Sequence, residues 1–361
     1  MRTTIQHIAE ELNLTPATVS RALSDHPRIS SETKQIVNAT AERLNYRRNR
    51  IASSLRTGKS HTIGVIIPSA RMNFFGSVVH GIETLASEYN YHTFIYQSEE
   101  KPELEKKAIE AFLGARVDGI LASLAKEATD FSHYVDLKKK NIPLVLFDRS
   151  NDSLQIPSVV LDDFKGGFCA TEHLIMQGYK RIAHLAGPAR FETFQNRLRG
   201  YFEALKAYNM PIDESLIYTG DLSIEAGKAG ADYYLALPAP PDAVFAVEDF
   251  SALGLMKRFK ERRISIPGEM GLIGFANEDF DEHISPTLSS IDQQTIRMGQ
   301  EAFNMLMKLI DRKNDKTGLI SKIVLEPVPF FRESSAKNSL ANTDLPIENE
   351  RKKTFPQILN T

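Results

Sequence analysis

The stretch Thr15-Pro16-Ala17-Thr18-Val19-Ser20-Arg21 reads as the opening of a helix made to be pressed against something outside the protein. Thr15 can accept a hydrogen bond from a backbone amide two or three residues on, and Pro16 stands where a helix has no amide to lose. Pro16, Ala17, Thr18, Ser20 and Arg21 are short or hydrogen-bonding, whereas Val19, Ala22 and Leu23 supply an inward face. Upstream, Ile5 to Leu12 carries Ile8, Ala9 and Leu12 at helical spacing. Asn13-Leu14 then makes a tight corner, for which Asn tolerates the left-handed backbone. Two short helices joined by a turn of about three or four residues form the helix-turn-helix pattern, and the plainer alternative is a helical hairpin in a core.

A third helix, Glu32 to Leu44, follows the Ser30-Ser31 cap and is expected to turn Ile36, Val37, Ala41 and Leu44 inward, closing a three-helix core. It leads into Arg43, Arg47, Arg48, Arg50 and Arg56, with no acid among them. Residues 1–59 hold ten Lys+Arg and five Asp+Glu, net +5, so the remaining 302 hold 34 and 41, net −7. A basic head on an acidic body implies that only the head meets polyanions.

From residue 60 onward strand-like runs alternate with helical patterns. Thr62 to Ile67, His92 to Tyr96, Gly119 to Ala122 and Leu144 to Phe147 read as strands, separated by helices over Gly76 to Tyr89, Glu103 to Ala115 and Tyr134 to Lys140. Runs apolar on both faces, such as Gly64-Val65-Ile66-Ile67, fit a parallel sheet covered by helices. After a loop around Asn151 to Pro157 the alternation restarts at helix Phe164 to Gln177 and continues to strand Met270 to Phe275. Two doubly wound halves follow, and ligands of such halves sit beyond the carboxyl ends of strands. Ser69, Asp148, Arg149, Asp162 and Asp249 occupy such ends, although each alone also suits a helix cap or a surface ion pair.

Thr4-Ile5-Gln6-His7-Ile8-Ala9, Thr15 to Leu23, Ile29-Ser30, Leu44-Asn45-Tyr46-Arg47 and Ala52-Ser53-Ser54-Leu55-Arg56-Thr57-Gly58-Lys59 resemble the head and hinge of the lactose/galactose repressor (LacI/GalR) family. The similarity runs on through Ile63-Gly64-Val65-Ile66-Ile67-Pro68, Asp118-Gly119-Ile120-Leu121, His184-Leu185-Ala186-Gly187-Pro188 and Arg197-Leu198-Arg199-Gly200-Tyr201, covering about residues 3 to 333. The resemblance implies an α/β chain with an N-terminal three-helix helix-turn-helix head over 1–47, a hinge over 48–59 and a periplasmic-binding-protein-like core over 60–333. In that core one doubly wound parallel-sheet subdomain takes 60–161 and 292–324, and the other takes 162–291 and 325–333. The polar stretch 334–361 is expected to be a flexible tail.

By the same resemblance, Thr4, Thr15, Pro16, Ala17, Thr18, Ser20, Arg21, Arg28, Asn49, Arg50, Ala52 and Leu55 would meet DNA, with Leu55 as an apolar wedge in the minor groove. In the cleft, Phe74 and Phe75 would form an apolar platform, Asp148, Arg149 and Asp162 one polar edge, Arg197, Leu222 and Asp249 the other, with Asn277 nearby. Arg197 could instead pair with Glu192 or Glu203 on its helix. Three departures stand out: Met72-Asn73 where members often have Asn-Pro, Glu248 for the usual Asn, and Ala276 where an acidic residue is often found.

An enzyme is disfavoured by the lack of G-x-G-x-x-G after the first strand, of G-x-x-x-x-G-K-[ST], and of nucleophile-elbow spacing. The nine His are dispersed, and Cys169 stands alone, so neither disulfide, metal cluster nor cofactor is expected. With no secretory leader and no apolar run near 18 residues, the protein is expected to be cytoplasmic. The resulting expectation is a regulator, foremost a repressor, acting as a homodimer on a near-palindromic operator under a small-molecule effector, foremost a carbohydrate. The alternatives are an activator or dual regulator of catabolic genes and, further off, a carbohydrate-binding enzyme.

Overall fold

The computed structural model describes residues 3–46, 59–125, 128–311 and 322–337. The head is three helices, α1 (Ile5–Glu11), α2 (Pro16–Leu23) and α3 (Ser31–Arg43). Thr15 caps α2 by accepting the Thr18 amide at 3.1 Å, and Ser30 caps α3 by accepting the Thr33 amide at 3.2 Å. The corner between α1 and α2 turns on Asn13, whose φ of 53° lies in the left-handed region that Asn tolerates. Ile8, Ala9, Val19, Ala22, Val37 and Ala41 make the core. Ile36 departs from expectation: it is 49% exposed, because the buried stripe of α3 runs through Val37, Thr40 and Ala41, and position 36 falls on its flank.

Residues 62–337 form the second unit. In chain order it contains β1 (Thr62–Ile67), α4 (Asn73–Glu88), β2 (His92–Gln97), α5 (Pro102–Gly114), β3 (Gly119–Ala122), α6 (Ser132–Lys139), β4 (Leu144–Phe147), β5 (Ser158–Leu161) and α7 (Asp163–Met176). Then come β6 (Ile182–Ala186), α8 (Glu192–Ala207), β7 (Ile217–Thr219), α9 (Ile224–Leu235), β8 (Ala243–Ala246), α10 (Asp249–Glu261), β9 (Gly271–Ile273), β10 (Ser290–Asp292), α11 (Thr295–Asp311), β11 (Lys322–Leu325) and β12 (Val328–Phe330).

One sheet has the order β11-β5-β4-β3-β1-β2 and the other β7-β6-β8-β9, every neighbouring pair parallel. Each sheet carries its helices on both faces and forms one lobe. The chain passes between lobes after β5, between β10 and α11, and between β11 and β12, and the last two passages pair as the antiparallel ribbon β10-β12. Helix α11 returns to the first lobe and packs on α4.

Backbone meets backbone at the helix crossings. Gly81 of α4 lies on the Ile296 carbonyl and Gly299 of α11 on that of Val78; Gly167 of α7 and Gly200 of α8 repeat the arrangement. A Cβ at any of these positions would overlap a carbonyl, so glycine is required by the closeness of approach. The packed domain also runs past the expected start of the tail. Ser334 and Ser335 are fully buried, with Ser334 Oγ donating to the Leu272 carbonyl at 2.7 Å and accepting the Ser289 amide at 2.8 Å. Small hydroxyls can enter the lobe because each finds a partner there, which corrects the boundary at 334.

Candidate functional site

In the head, Thr4, Thr15, Pro16, Ala17, Arg21 and Arg28 are exposed and Thr18 and Ser20 half-buried, so the outward side of α2 is small and polar. The threonine hydroxyls of positions 15 and 18 meet at 2.9 Å, holding the first turn rigid. Lys34 pairs with Asp25 and Arg43 with Glu11, whereas among the described residues Arg21 and Arg28 make no ion pair. Two basic groups on or beside α2 thus keep their charge outward. Asn49, Arg50, Ala52 and Leu55 lie outside the described residues.

The core site is built around Arg197, in the second turn of α8 and only 3% exposed. Its Nε donates to Asp163 Oδ1 at 2.8 Å, Nη1 to the Val247 carbonyl at 2.7 Å and Nη2 to Gln293 Oε1 at 3.1 Å. The guanidinium lies 3.6 Å from the Phe275 ring centroid. Asp163 begins α7 just after the β5 passage and Gln293 follows β10, so one side chain fastens the second lobe to two of the three inter-lobe passages. Neither Glu192 nor Glu203 is its partner. Burial pushes the Asp163 carboxyl up to about 6, with Arg197 opposing that rise. His184, beneath the site, donates from Nδ1 to the Phe245 carbonyl at 3.0 Å, and burial pushes its imidazole down to about 4.

The remaining expected residues divide. Phe74 lines a cavity of about 350 Å³ between the lobes, together with Asn73, Ser77, Asn277, Glu278 and Gln293. Phe75 is no part of an open platform: it is fully buried in the core of the first lobe, edge-on to Phe74 at 5.0 Å. Arg149 gives Nη1 to both Glu100 oxygens, at 2.9 and 2.8 Å, and lies 5.6 Å from the ring centre of Phe75 and 5.7 Å from that of Phe191 in the other lobe. Asp148, at φ 59°, sits beside Arg149 with Nε at 3.7 Å; burial raises its carboxyl despite the arginines. Asp162 accepts the Lys165 amide at 2.9 Å and caps α7, the plainer of its two expected roles. Leu222 stands at φ 73° in the loop before α9, half-buried.

Asp249 is fully buried below the cleft floor and does not face the cavity as a free group. It accepts Ser290 Oγ on both oxygens at 2.8 Å and the Glu278 amide at 3.2 Å, and so fixes the loop after β9. Beside it Asp281 is equally buried, with neither side-chain oxygen hydrogen-bonded and Arg332 only at 3.9 Å. Burial first, then the Asp249 charge, pushes Asp281 up to about 10, so the Asp249–Asp281 pair holds a proton at neutral pH. Glu248 caps α10 through the Phe250 amide at 2.7 Å, and burial with its acidic neighbours pushes it up to about 8. Asn277 donates to Asp292 Oδ2 at 3.0 Å and accepts from Arg332 at 2.8 Å.

Asp163 and Gln293 were not singled out in the sequence, and Asn73 and Glu278 were given no role in the site, Asn73 standing out only as a departure from the family's pattern. Asp163 follows Asp162 at a strand end, where either carboxylate could have been the cap. The other three enter only because the passages between lobes bring distant segments together.

A head that offers a small polar helix face, joined to two parallel-sheet lobes around a polar cleft, defines a DNA-binding transcription regulator controlled by an effector. Comparison with known proteins agrees. Residues 60–334 match the family described as periplasmic binding proteins and sugar binding domain of LacI family, and residues 4–49 match bacterial regulatory proteins, lacI family. Catabolite control protein A of Priestia megaterium is 31% identical over 321 residues, 89% of this chain and 96% of that protein. The HTH-type transcriptional repressor CytR of Escherichia coli strain K12 is 31% identical over 304 residues, 84% of this chain and 89% of that protein. A Lac repressor structure bound to ONPG in the repressed state superposes with a TM-score of 0.80 at 25% identity, over 92% of this chain and all of that one. The chain belongs to the LacI family of bacterial regulatory proteins. These relatives are transcription regulators rather than enzymes, and among the described residues no helix is long and apolar enough to cross a membrane.

Proposed function

We propose that this chain is a cytoplasmic repressor that binds a near-palindromic operator as a homodimer and releases or tightens on it when a polyhydroxylated small molecule, foremost a carbohydrate, enters the cleft. Thr15 to Arg21 of α2 would enter the major groove, with Thr4 and Arg28 on the flanking backbone and Asn49, Arg50, Ala52 and Leu55 at the minor groove between half-sites. Two heads related by a two-fold axis require two-fold DNA symmetry.

The observation that carries the regulatory half is the position of Arg197. Gln293 lines the cavity and its side-chain oxygen accepts from Arg197 Nη2, so a ligand that draws the Gln293 side chain to itself competes for the fastening of the second lobe to the passages at Asp163 and Gln293. Binding thereby biases how the lobes close, and a coupling of roughly 1 to 3 kcal/mol changes operator affinity about 5- to 150-fold. No metal or cofactor is invoked.

Selection of bound duplexes from a random pool tests the operator. The enriched site is expected to be two-fold symmetric with half-sites about one helical turn apart or a multiple of it, and the protein to elute at the mass of a dimer. Enrichment of asymmetric sites by a monomer would overturn the reading. Sugars and nucleosides titrated onto the selected duplex then test the effector, whose mark is a change in operator affinity.

A further inference from the structure

One polar contact joins the lobes directly across the mouth of the cavity. Asn73, at the start of α4 in the first lobe, donates its side-chain amide to Glu278 Oε2 at 2.8 Å, in the loop after β9 of the second. Both residues line the cavity of about 350 Å³, which has two carboxylates, Glu278 and Asp279, and no Lys, Arg or His in its lining. The arginines of the cleft are committed elsewhere: Arg149 holds both oxygens of Glu100, and Arg197 holds Asp163, the Val247 carbonyl and Gln293.

We propose that Glu278, with Asn73 facing it across the cleft, sets the electrical class of the effector, admitting neutral or amino-bearing polyhydroxylated molecules and refusing phosphorylated and uronic-acid sugars. This rests on the carbohydrate reading above and narrows it. A carboxylate oxygen accepts and never donates, so Glu278 offers its free lone pairs to a hydroxyl or an ammonium group. A ligand phosphate or carboxylate brought to about 4 Å from it meets a like charge, with no lining cation to offset it. At an effective dielectric near 20 that repulsion lowers affinity by roughly a hundredfold or more. The amide of Asn73 holds the Glu278 side chain at the mouth, so the carboxylate cannot swing away into water to escape the clash without giving up a charge-assisted hydrogen bond.

The test uses the full-length protein and two matched ligand pools in a thermal-shift assay at pH 7.5. The first pool holds hexoses, pentoses, disaccharides and hexosamines; the second holds the hexuronates and hexose phosphates. The first is expected to raise Tm and the second to leave it unchanged, because only ligands that select the native state stabilise it. Glu278→Lys is expected to gain a response to the second pool, and Glu278→Gln to lose at least tenfold in affinity for the responding member of the first. A second-pool shift in the wild type equal to or above the first overturns this assignment and leaves the carbohydrate reading standing. An undiminished first-pool response in Glu278→Gln overturns it too. Silence from both pools removes the carbohydrate reading and this inference with it.

Discussion

Replacing Arg197 by Ala is expected to cost stability in a way that depends on pH. The substitution strips Asp163 of its charged partner, and breaking one side of a buried ion pair costs about 3–5 kcal/mol. It also leaves the Val247 carbonyl and the Gln293 side-chain oxygen short of a donor, at about 1–3 kcal/mol for each that water does not reach. Asp163 has an escape, because its carboxyl is already pushed up to about 6 by burial and can take a proton. In the wild type this carboxyl, raised above its ordinary value, lowers stability as pH rises from about 4 to about 6. Without the guanidinium that decline extends to higher pH, each added unit being worth about 1.4 kcal/mol. The loss caused by Arg197→Ala should therefore be larger at pH 8.0, where the unpaired Asp163 carboxylate adds about 3–5 kcal/mol to the cost of the two abandoned oxygens, and fall at pH 5.5 towards the cost of those oxygens alone. Urea unfolding followed by circular dichroism at the two pH values measures it, and Asp163→Asn/Arg197→Ala supplies the control, costing less than Arg197→Ala alone at pH 8.0. A loss equal at both pH values, or below about 1 kcal/mol at pH 8.0, would refute the assignment of Arg197 as the fastening of the site.

In operator titrations below its unfolding temperature, the same Arg197→Ala protein should keep its affinity without effector and lose the effector's influence on it, in whichever direction that acts. Asp281→Asn should be tolerated at pH 7, since Asp281 is pushed up to about 10 and its pair with Asp249 holds a proton there; the wild type should lose stability as pH rises from 7 towards 10, and the variant should flatten that slope by at most about 1.4 kcal/mol per unit, so identical Tm–pH profiles would count against the shared proton. Gly299→Ala drives a methyl group into the Val78 carbonyl and should lower stability by about 1–3 kcal/mol in urea unfolding, whereas Gly76→Ala, with open space around it, should change stability little. Ala17 replaced by Gln should alter which duplexes are preferred more than nonspecific affinity, and Arg50→Ala should do the reverse; a salt series on operator and scrambled duplexes separates the two, and equal losses on both for the Ala17 change would exclude Ala17 from base contact.

The parts of the fold that were legible in the sequence are those governed by short-range physics. Thr15, Pro16 and Asn13 announce a helix start and its corner through capping and backbone preference, and Leu144 to Phe147 announces a buried strand by its unbroken apolarity. The strands Ser158–Leu161 and Ser290–Asp292 escaped notice because each is too short to show a period, and β10 exists only through its pairing with β12 from 38 residues further on. At the site, the resemblance to the family pointed to Arg197 but not to its partners. Asp163 lies 34 positions away and Gln293 96, a separation no local pattern encodes. Phe75 misled for a related reason: two adjacent aromatics on a helix must face about 100° apart, so only one of the pair could reach the cavity.

At the Gly167–Gly200 crossing no side chain stands between α7 and α8, so nothing there can change rotamer to absorb a displacement. Helix α8 spans 16 residues, about 24 Å, with Arg197 near one end. Such a rod behaves as a stiff lever with its fulcrum at the glycines: a tilt of about one degree imposed at the Arg197 end moves the far end, about 10 Å beyond Gly200, by about 0.2 Å, with little lost to compliance along the way.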